Sequence, residues 1–278
     1  MRKMIQILAV LGVMWLSLWL LVSLVGDAML FPAPPPSYRL GPGMGVLESS
    51  AGDRIAFLRM RDAHSTHALI VSHGNGEDLG MLSGYLRGFV ALGYDVISYD
   101  YPGYGLSSGK PSEAGSYAAV ESVYSYVTND LGYPPERVFA LGRSLGGGPA
   151  LKLATSHPLA GLILESTFLS AQRVYMPIRV IPWDRFDNAS MIRKSTVPLL
   201  VVHGTQDQVV PFSHGKRLWE LANDPKLFFW VEGAGHNDVA SNGSTAYLET
   251  VDEFRKWVDR SVRDSRRTGD SRDDGSRP

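Results

Sequence analysis

Six short apolar runs, with stretches of helical spacing between them, constrain this chain more than any other feature. They are His67-Ala68-Leu69-Ile70-Val71-Ser72, Asp95-Val96-Ile97-Ser98-Tyr99, Arg137-Val138-Phe139-Ala140-Leu141, Leu159-Ala160-Gly161-Leu162-Ile163-Leu164, Val197-Pro198-Leu199-Leu200-Val201-Val202 and Lys226-Leu227-Phe228-Phe229-Trp230. Runs of this length without polar alternation suit strands covered on both faces of a parallel sheet. Arg54 to Met60 reads as an earlier strand, paired antiparallel. Helical periodicity joins Leu82, Leu86, Phe89 and Val90, then Val120, Val123, Val127 and Leu131 behind the N-cap Ser112. Trp219, Leu221 and Ala222 mark a third helix, and Leu248, Val251, Phe254 and Val258 a last one. Gly93 and Gly132 stand where left-handed helix ends are expected. Strand and helix in regular alternation mean a doubly wound α/β sheet.

The two ends lie outside that pattern. Met4 to Gly26 carries no charged side chain, and 23 residues of helix reach about 34 Å against a hydrocarbon core of about 30 Å. Arg2 and Lys3 precede this stretch, so the positive-inside rule keeps the N-terminus in the cytoplasm and sends the rest across. Residues 1–26 are therefore expected to be a single-pass membrane anchor with the folded domain extracytoplasmic. The rival is a signal peptide cleaved near Gly26-Asp27-Ala28 and a secreted product. Residues 27–44, with Pro32-Ala33-Pro34-Pro35-Pro36, read as a stiff extended stalk. Residues 45–262 are expected to form the folded domain. Residues 263–278 mix Arg, Asp, Ser and Gly and are expected to be disordered.

Composition narrows the function classes. The chain has 27 Lys+Arg against 28 Asp+Glu, a net charge of −1, which argues against a nucleic-acid binder. It has no cysteine, which removes disulfides, thiolate metal sites and cysteine nucleophiles together.

The chemistry concentrates in Gly142-Arg143-Ser144-Leu145-Gly146, which follows an expected strand and opens an expected helix. That is the context a G-x-S-x-G nucleophile turn requires. The backbone N–H of Leu145, near a helix start, then points where an oxyanion would form. A serine hydroxyl needs a base to take its proton. His236, in Glu232-Gly233-Ala234-Gly235-His236 after the last strand, fits best of seven histidines. His64, His67 and His157 sit in surface-like polar contexts, and His203 and His214 read as structural. Asp207, in His203-Gly204-Thr205-Gln206-Asp207 after the preceding strand, is the expected acid. The serine precedes the aspartate by 63 residues and the histidine follows 29 later, an order that brings all three to one sheet edge. Glu165, at the end of another strand, is the rival acid. Asp238 stands too close to His236 in sequence and is expected to cap its loop. Asn75, in Ser72-His73-Gly74-Asn75-Gly76, is the candidate second oxyanion donor.

These segments resemble a known family. His73-Gly74-Asn75-Gly76, Asp100-Tyr101-Pro102-Gly103-Tyr104-Gly105-Leu106-Ser107, Gly142-Arg143-Ser144-Leu145-Gly146-Gly147, Glu165-Ser166-Thr167-Phe168 and Val202-His203-Gly204-Thr205-Gln206-Asp207 resemble the α/β-hydrolase-fold serine hydrolases. With Pro211-Phe212-Ser213-His214-Gly215 and Gly235-His236 they are similar to the membrane-anchored α/β-hydrolase-domain branch that includes the protein depalmitoylases. The resemblance spans about residues 45–260. It implies an α/β-hydrolase fold with a mostly parallel sheet, Ser144 as nucleophile, Asp207 as acid, His236 as base, Asn75 and Leu145 as oxyanion donors, and no cofactor or metal. The chain departs from the depalmitoylases in lacking an N-terminal cysteine cluster, with a hydrophobic helix in its place.

The expected reaction is hydrolysis of a carboxylic ester or thioester through an acyl-enzyme. Between Thr167 and Thr196 about thirty residues are inserted, with Tyr175, Trp183 and Phe186 among their apolar side chains. They are expected to form a short lid that binds a small-molecule or lipid-like acyl chain; packing into the core is the competing reading. An amidase or peptidase, an acyltransferase, and a catalytically inactive membrane-tethered interaction module remain as alternatives.

Overall fold

The computed structural model describes the backbone of residues 2–175 and 184–270, and their side chains except at 18, 20–29, 175, 244 and 262–270. In chain order the elements are α1 (Arg2–Leu30), β1 (Met44–Glu48), β2 (Arg54–Met60), β3 (His67–Ser72), α2 (Ser83–Ala91), β4 (Tyr94–Tyr99), α3 (Glu113–Ser125), β5 (Val138–Arg143), α4 (Gly147–Ser156), β6 (Gly161–Glu165), α5 (Ala171–Tyr175), α6 (Asn188–Ile192), β7 (Leu199–Gly204), α7 (Phe212–Leu221), β8 (Lys226–Val231) and α8 (Val239–Asp270). The strands make one eight-stranded sheet in the order β1-β2-β4-β3-β5-β6-β7-β8. β2 runs antiparallel to β1 and β4, and every pair from β4 through β3 to β8 is parallel.

The unbroken apolar runs are explained by what covers them. In β3, Ala68 and Ile70 face one core, shared with Val120 and Val123 of α3, Leu151 of α4 and Leu218 of α7. Leu69 and Val71 face the other, shared with Leu86 and Phe89 of α2 and with Val251, Phe254 and Val258 of α8. Alternate side chains point to opposite faces, and in β3 to β7 both faces are covered, so apolar residues run on without alternation. β8, at the sheet edge, differs from expectation and leaves Leu227 and Phe228 exposed. The expected N-cap holds: Ser112 Oγ accepts the N–H of Gly115 at 3.0 Å. Gly93 and Gly132 are left-handed, at φ 87° and 73°. Strand β1 went unrecognised in the sequence because Met44–Glu48 is only half-buried and lies at the sheet edge.

Both ends differ from expectation. Residues 27–44 are not a free stalk. Helix α1 runs through Leu30, and Phe31 is only 3% exposed among core side chains. Beyond the prolines, Ser37 and Tyr38 hydrogen-bond to Asp78 and Asp100. The prolines do hold the chain extended, but the extended segment lies along the domain, with Phe31 buried at one end and Tyr38 half-buried at the other. At the other end α8 continues through residue 270, into the stretch expected to be disordered; extending an established helix costs far less than starting one. Residues 271–278 lie outside the described residues. Among the described residues no helix is long and apolar enough to cross a membrane. The anchor expected over residues 1–26 gains no support from them, because the described side chains of this stretch reach only to residue 17 and include 19.

Candidate active site

The turn after β5 brings two backbone segments closer than any side chain allows. A Cβ on Gly142 would strike the carbonyl of Gly146, and one on Gly146 would strike the carbonyl of Ser72 at the end of β3. With glycine at both places the chain reverses within a single 3-10 turn, Ser144–Gly146, and enters α4. Ser144 is left at φ 52°, a left-handed conformation that a non-glycine residue keeps only when its surroundings hold it. Thr167 Oγ1 supplies one such hold by donating to the Ser144 carbonyl at 2.6 Å. Pro149 is the third residue of α4, where its missing N–H has no intrahelical partner to lose.

Asp207 follows β7 and His236 follows β8, and both arrive beside this turn. His236 Nε2 lies 3.0 Å from Ser144 Oγ, and its Nδ1 lies 2.7 Å from Asp207 Oδ2. A carboxylate accepts only, so Nδ1 carries the proton and Nε2 presents its lone pair to the serine hydroxyl. The other carboxylate oxygen accepts the N–H groups of Val209 at 2.9 Å and Val210 at 2.8 Å, which fixes its plane. Burial alone would raise the Asp207 carboxyl, but hydrogen bonds from His203, His236 and Val210 outweigh it and hold the group well below the usual carboxylate range.

His203, which the sequence reading set aside as structural, touches the acid. Its ring is fully buried, with Nε2 3.3 Å from Asp207 Oδ2 and 2.9 Å from the carbonyl of Val210. Both partners are acceptors, so Nε2 bears the proton. The signal was its position four residues before Asp207 in one loop motif.

Glu165 goes elsewhere. Tyr85 and Tyr247 donate to its Oε2 at 2.8 and 2.5 Å, and Arg143 Nε lies 3.3 Å from Oε1. Asp207, not Glu165, contacts the histidine. Asp238 caps the loop as expected, accepting the N–H of Gly235 at 2.7 Å. His67 is not surface-like: it is buried, its ring lies edge-on to Phe139 at 5.7 Å, and its Nε2 meets Asp259 at 3.0 Å. His214 is structural, accepting the N–H of Leu169 at 3.1 Å.

Ser144 and His236 open into a cavity of about 540 Å³ whose wall also includes Asn75 and Leu145, the two expected oxyanion donors. Its apolar side is made by Leu30, Phe168, Ala171, Val174, Val209 and Val210. A bridge spans the polar rim: Arg143 pairs with Glu77 and donates to Asn237 Oδ1 at 3.0 Å, while Glu77 Oε2 accepts the N–H of Gly74 at 3.0 Å. Of the expected acyl-binding side chains, Phe186 is not in the cavity. It is fully buried, edge-on to Phe31 at 5.9 Å and Tyr117 at 5.7 Å, with its N–H donated to Glu113 at 2.8 Å. The insertion folds back there onto α3 and α4, and an aromatic side chain gains more by filling that gap than by facing a cavity. Trp183 lies outside the described residues, as does the side chain of Tyr175. Leu30 was missed because nothing in sequence ties it to a loop far along the chain.

The human alpha/beta hydrolase domain-containing protein 17B is 40% identical over 213 residues, 75% of this chain and 73% of its own length. The chain belongs to the α/β-hydrolase family. A Caenorhabditis elegans relative, alpha/beta hydrolase domain-containing protein aho-3, is 37% identical over 76% of this chain and 64% of its own. The family described as serine aminopeptidase, S33 matches residues 63–186. Among solved structures, a Rhodococcus esterase superposes with a TM-score of 0.61 at 19% identity, covering 77% of this chain and 98% of its own. A Pyrococcus furiosus esterase does so at 0.66 and 16%, covering 81% and 98%. The α/β-hydrolase fold is thus shared across very different sequences, and this member is a hydrolase.

The depressed Asp207 carboxyl predicts a pH signature. Such a group contributes stability that is fully present above its unfolded value, about 3.9, and that is lost as pH falls through its lower folded value. Urea unfolding of the wild type and Asp207→Asn from pH 2 to 7 should show a stability gap that is constant above about pH 5 and narrows below about pH 4. A gap independent of pH would mean that the carboxylate is not held ionised by its neighbours.

Proposed function

We propose that the chain is a serine hydrolase of carboxylic esters or thioesters, acting through an acyl-enzyme on substrates with an apolar acyl chain. The observation that carries this reading is the hydrogen-bonded sequence Ser144–His236–Asp207 at the wall of a cavity that also includes Leu145 and Asn75. In this mechanism Ser144 Oγ attacks the carbonyl carbon while His236 Nε2 takes the hydroxyl proton. Asp207 holds the imidazole in the required tautomer and stabilises the imidazolium that forms. The carbonyl oxygen gains charge and is met by the N–H groups of Leu145 and Asn75, preorganised by the turn and the glycine-rich loop. His236 returns its proton to the departing alcohol or thiol. Water then enters, loses a proton to His236 and releases the acid from Ser144.

Ser144→Ala should abolish turnover of p-nitrophenyl esters, and His236→Ala should come close to it. Asp207→Asn should lower kcat by about 10⁴, the scale for losing an orienting carboxylate. Full activity in Ser144→Ala would defeat the assignment. The serine aminopeptidase description of the matching family favours a second reading, amide hydrolysis on the same residues. Turnover of anilides at rates near those of esters would select it.

The substrate class rests on the apolar side of the cavity, from Leu30 to Val210. Lengthening an acetyl to an octanoyl ester adds six methylenes at about 0.8 kcal/mol each, roughly 5 kcal/mol if all are buried. About half of that is recovered once ordering and incomplete burial are counted, so kcat/KM should rise by about tenfold or more across this pair. Val174→Asn should flatten the rise and spare acetyl-ester turnover. A flat series in the wild type would mean a short or polar substrate.

Membrane anchoring with an extracytoplasmic domain is part of the same proposal. It is supported by the uncharged run 4–26 behind Arg2 and Lys3 and by exposed apolar side chains from Met4 to Leu16. Protease added outside sealed cells should degrade the domain while the protein resists carbonate extraction. Protection until the cells are opened would reverse the orientation, and release by carbonate would indicate no anchor.

A further inference from the structure

The segment expected to be an inert stalk packs against the domain at several points, and three of its contacts lead to the loop assigned an oxyanion donor. Residues 73–79 carry Asn75 and leave the C-terminal end of β3. They are fastened to residues 31–38 at three points. Phe31 packs edge-on against Tyr104 at 6.4 Å, and the Tyr104 hydroxyl donates to Asn75 Oδ1 at 2.9 Å. Ser37 gives both its N–H, at 2.6 Å, and its hydroxyl to the carboxylate of the fully buried Asp78. Tyr38 donates its hydroxyl to Asp100, a fully buried carboxylate that also accepts the N–H of Leu79 at 3.0 Å and faces His73 Nε2 at 3.4 Å. The loop therefore meets the segment directly at Asp78 and through one intermediary each at Asn75 and at the His73–Leu79 pair.

The fit is built from both sides. A Cβ on Gly80 would collide with the Ser37 hydroxyl, and one on Gly105 with Asp100 and the Tyr38 ring, so the loop side leaves room for the segment. Pro32, Pro34, Pro35 and Pro36 hold the connecting chain extended before it docks, which lowers the entropy lost on ordering it. Burying two carboxylates under a surface segment is costly unless each is hydrogen-bonded; Ser37 supplies two bonds to Asp78, and Tyr38 adds one to Asp100 beside that of Leu79.

We propose that residues 31–38 are a positioning strap of the active site, which holds the backbone N–H of Asn75 where the oxyanion develops. The inference rests on the serine-hydrolase reading. Phe31, Ser37 and Tyr38 touch no reacting atom; they act through Tyr104, Asp78 and Asp100. A donor displaced by a fraction of an ångström stabilises the transition state less while substrate still binds, so the strap governs kcat rather than KM.

The test uses the full chain, with kcat and KM measured on one p-nitrophenyl ester and thermal unfolding measured in parallel. Phe31→Ala and Tyr38→Phe should each lower kcat by about tenfold or more, a part of the loss seen on removing an oxyanion donor outright, with KM changed less than about twofold. Phe31→Leu should restore most of the rate, since it refills the contact with Tyr104. Tyr38→Phe removes a single oxygen and keeps the test valid if Phe31→Ala does not fold. Unfolding temperatures that fall while kcat of the folded protein stays at the wild-type value would overturn the strap and leave a stability role only. Ester turnover that persists in Ser144→Ala would overturn the parent reading instead, so the two failures are distinguishable.

Discussion

Everything at the site depends on a contact between two backbones. At the end of β5 the chain must pass so close to the carbonyl end of β3 that Gly142 and Gly146 have no space for a Cβ. This approach raises Ser144 into a left-handed conformation above the sheet and starts α4 beside it. The serine is strained by about 1–3 kcal/mol on general grounds, and the parallel core on either side opposes relaxation. β5 pairs with β3 on one side and β6 on the other, and both neighbours are wholly buried. A looser sheet would let the turn relax, and the hydroxyl would leave its place beside His236.

Charge is arranged on the same frame. Asp207, His203 and His236 form a cluster in which the carboxylate receives donors from two rings and two backbone N–H groups. A buried carboxylate with this many partners stays ionised and immobile. One partner, His236, also reaches Ser144 Oγ through its other ring nitrogen. The other, His203, also donates to the Val210 carbonyl and so ties the acid to its own loop. A second buried set, Asp78 and Asp100 with His73, lies on the other side of the serine and takes donors from the N-terminal segment.

Most of the sheet and the serine–histidine–aspartate set were legible in the sequence, for different reasons. Strands β3 to β7 were legible because both faces are covered, and Ala68 to Val71 could not alternate. Ser144, Asp207 and His236 were legible because each sits in a glycine-marked loop directly after such a strand, so local motif and topology agreed. Phe186 was not, because an aromatic residue in an insertion reads the same whether it faces a cavity or fills a gap beside Phe31 and Tyr117. Residues 27–44 were misread for a related reason. Their composition fixes stiffness, but not whether the stiff segment stands free or lies down; that is decided by Asp78 and Asp100, whose need for donors shows only in three dimensions.

The same geometry links the N-terminal helix to the cavity. Leu30 closes α1 and forms part of the cavity wall, and the next residue, Phe31, reaches Asn75 through Tyr104. No flexible tether separates the N-terminal helix from the cavity, so any constraint on the end of that helix is felt at the cavity wall within one residue. In a hydrolase whose domain merely hung from a linker, replacing the N-terminal segment would leave the site intact. Here the end of α1, residues 31–38 and the loop 73–79 are parts of one packed unit, and the apolar side of the cavity begins at Leu30, the last residue of the helix.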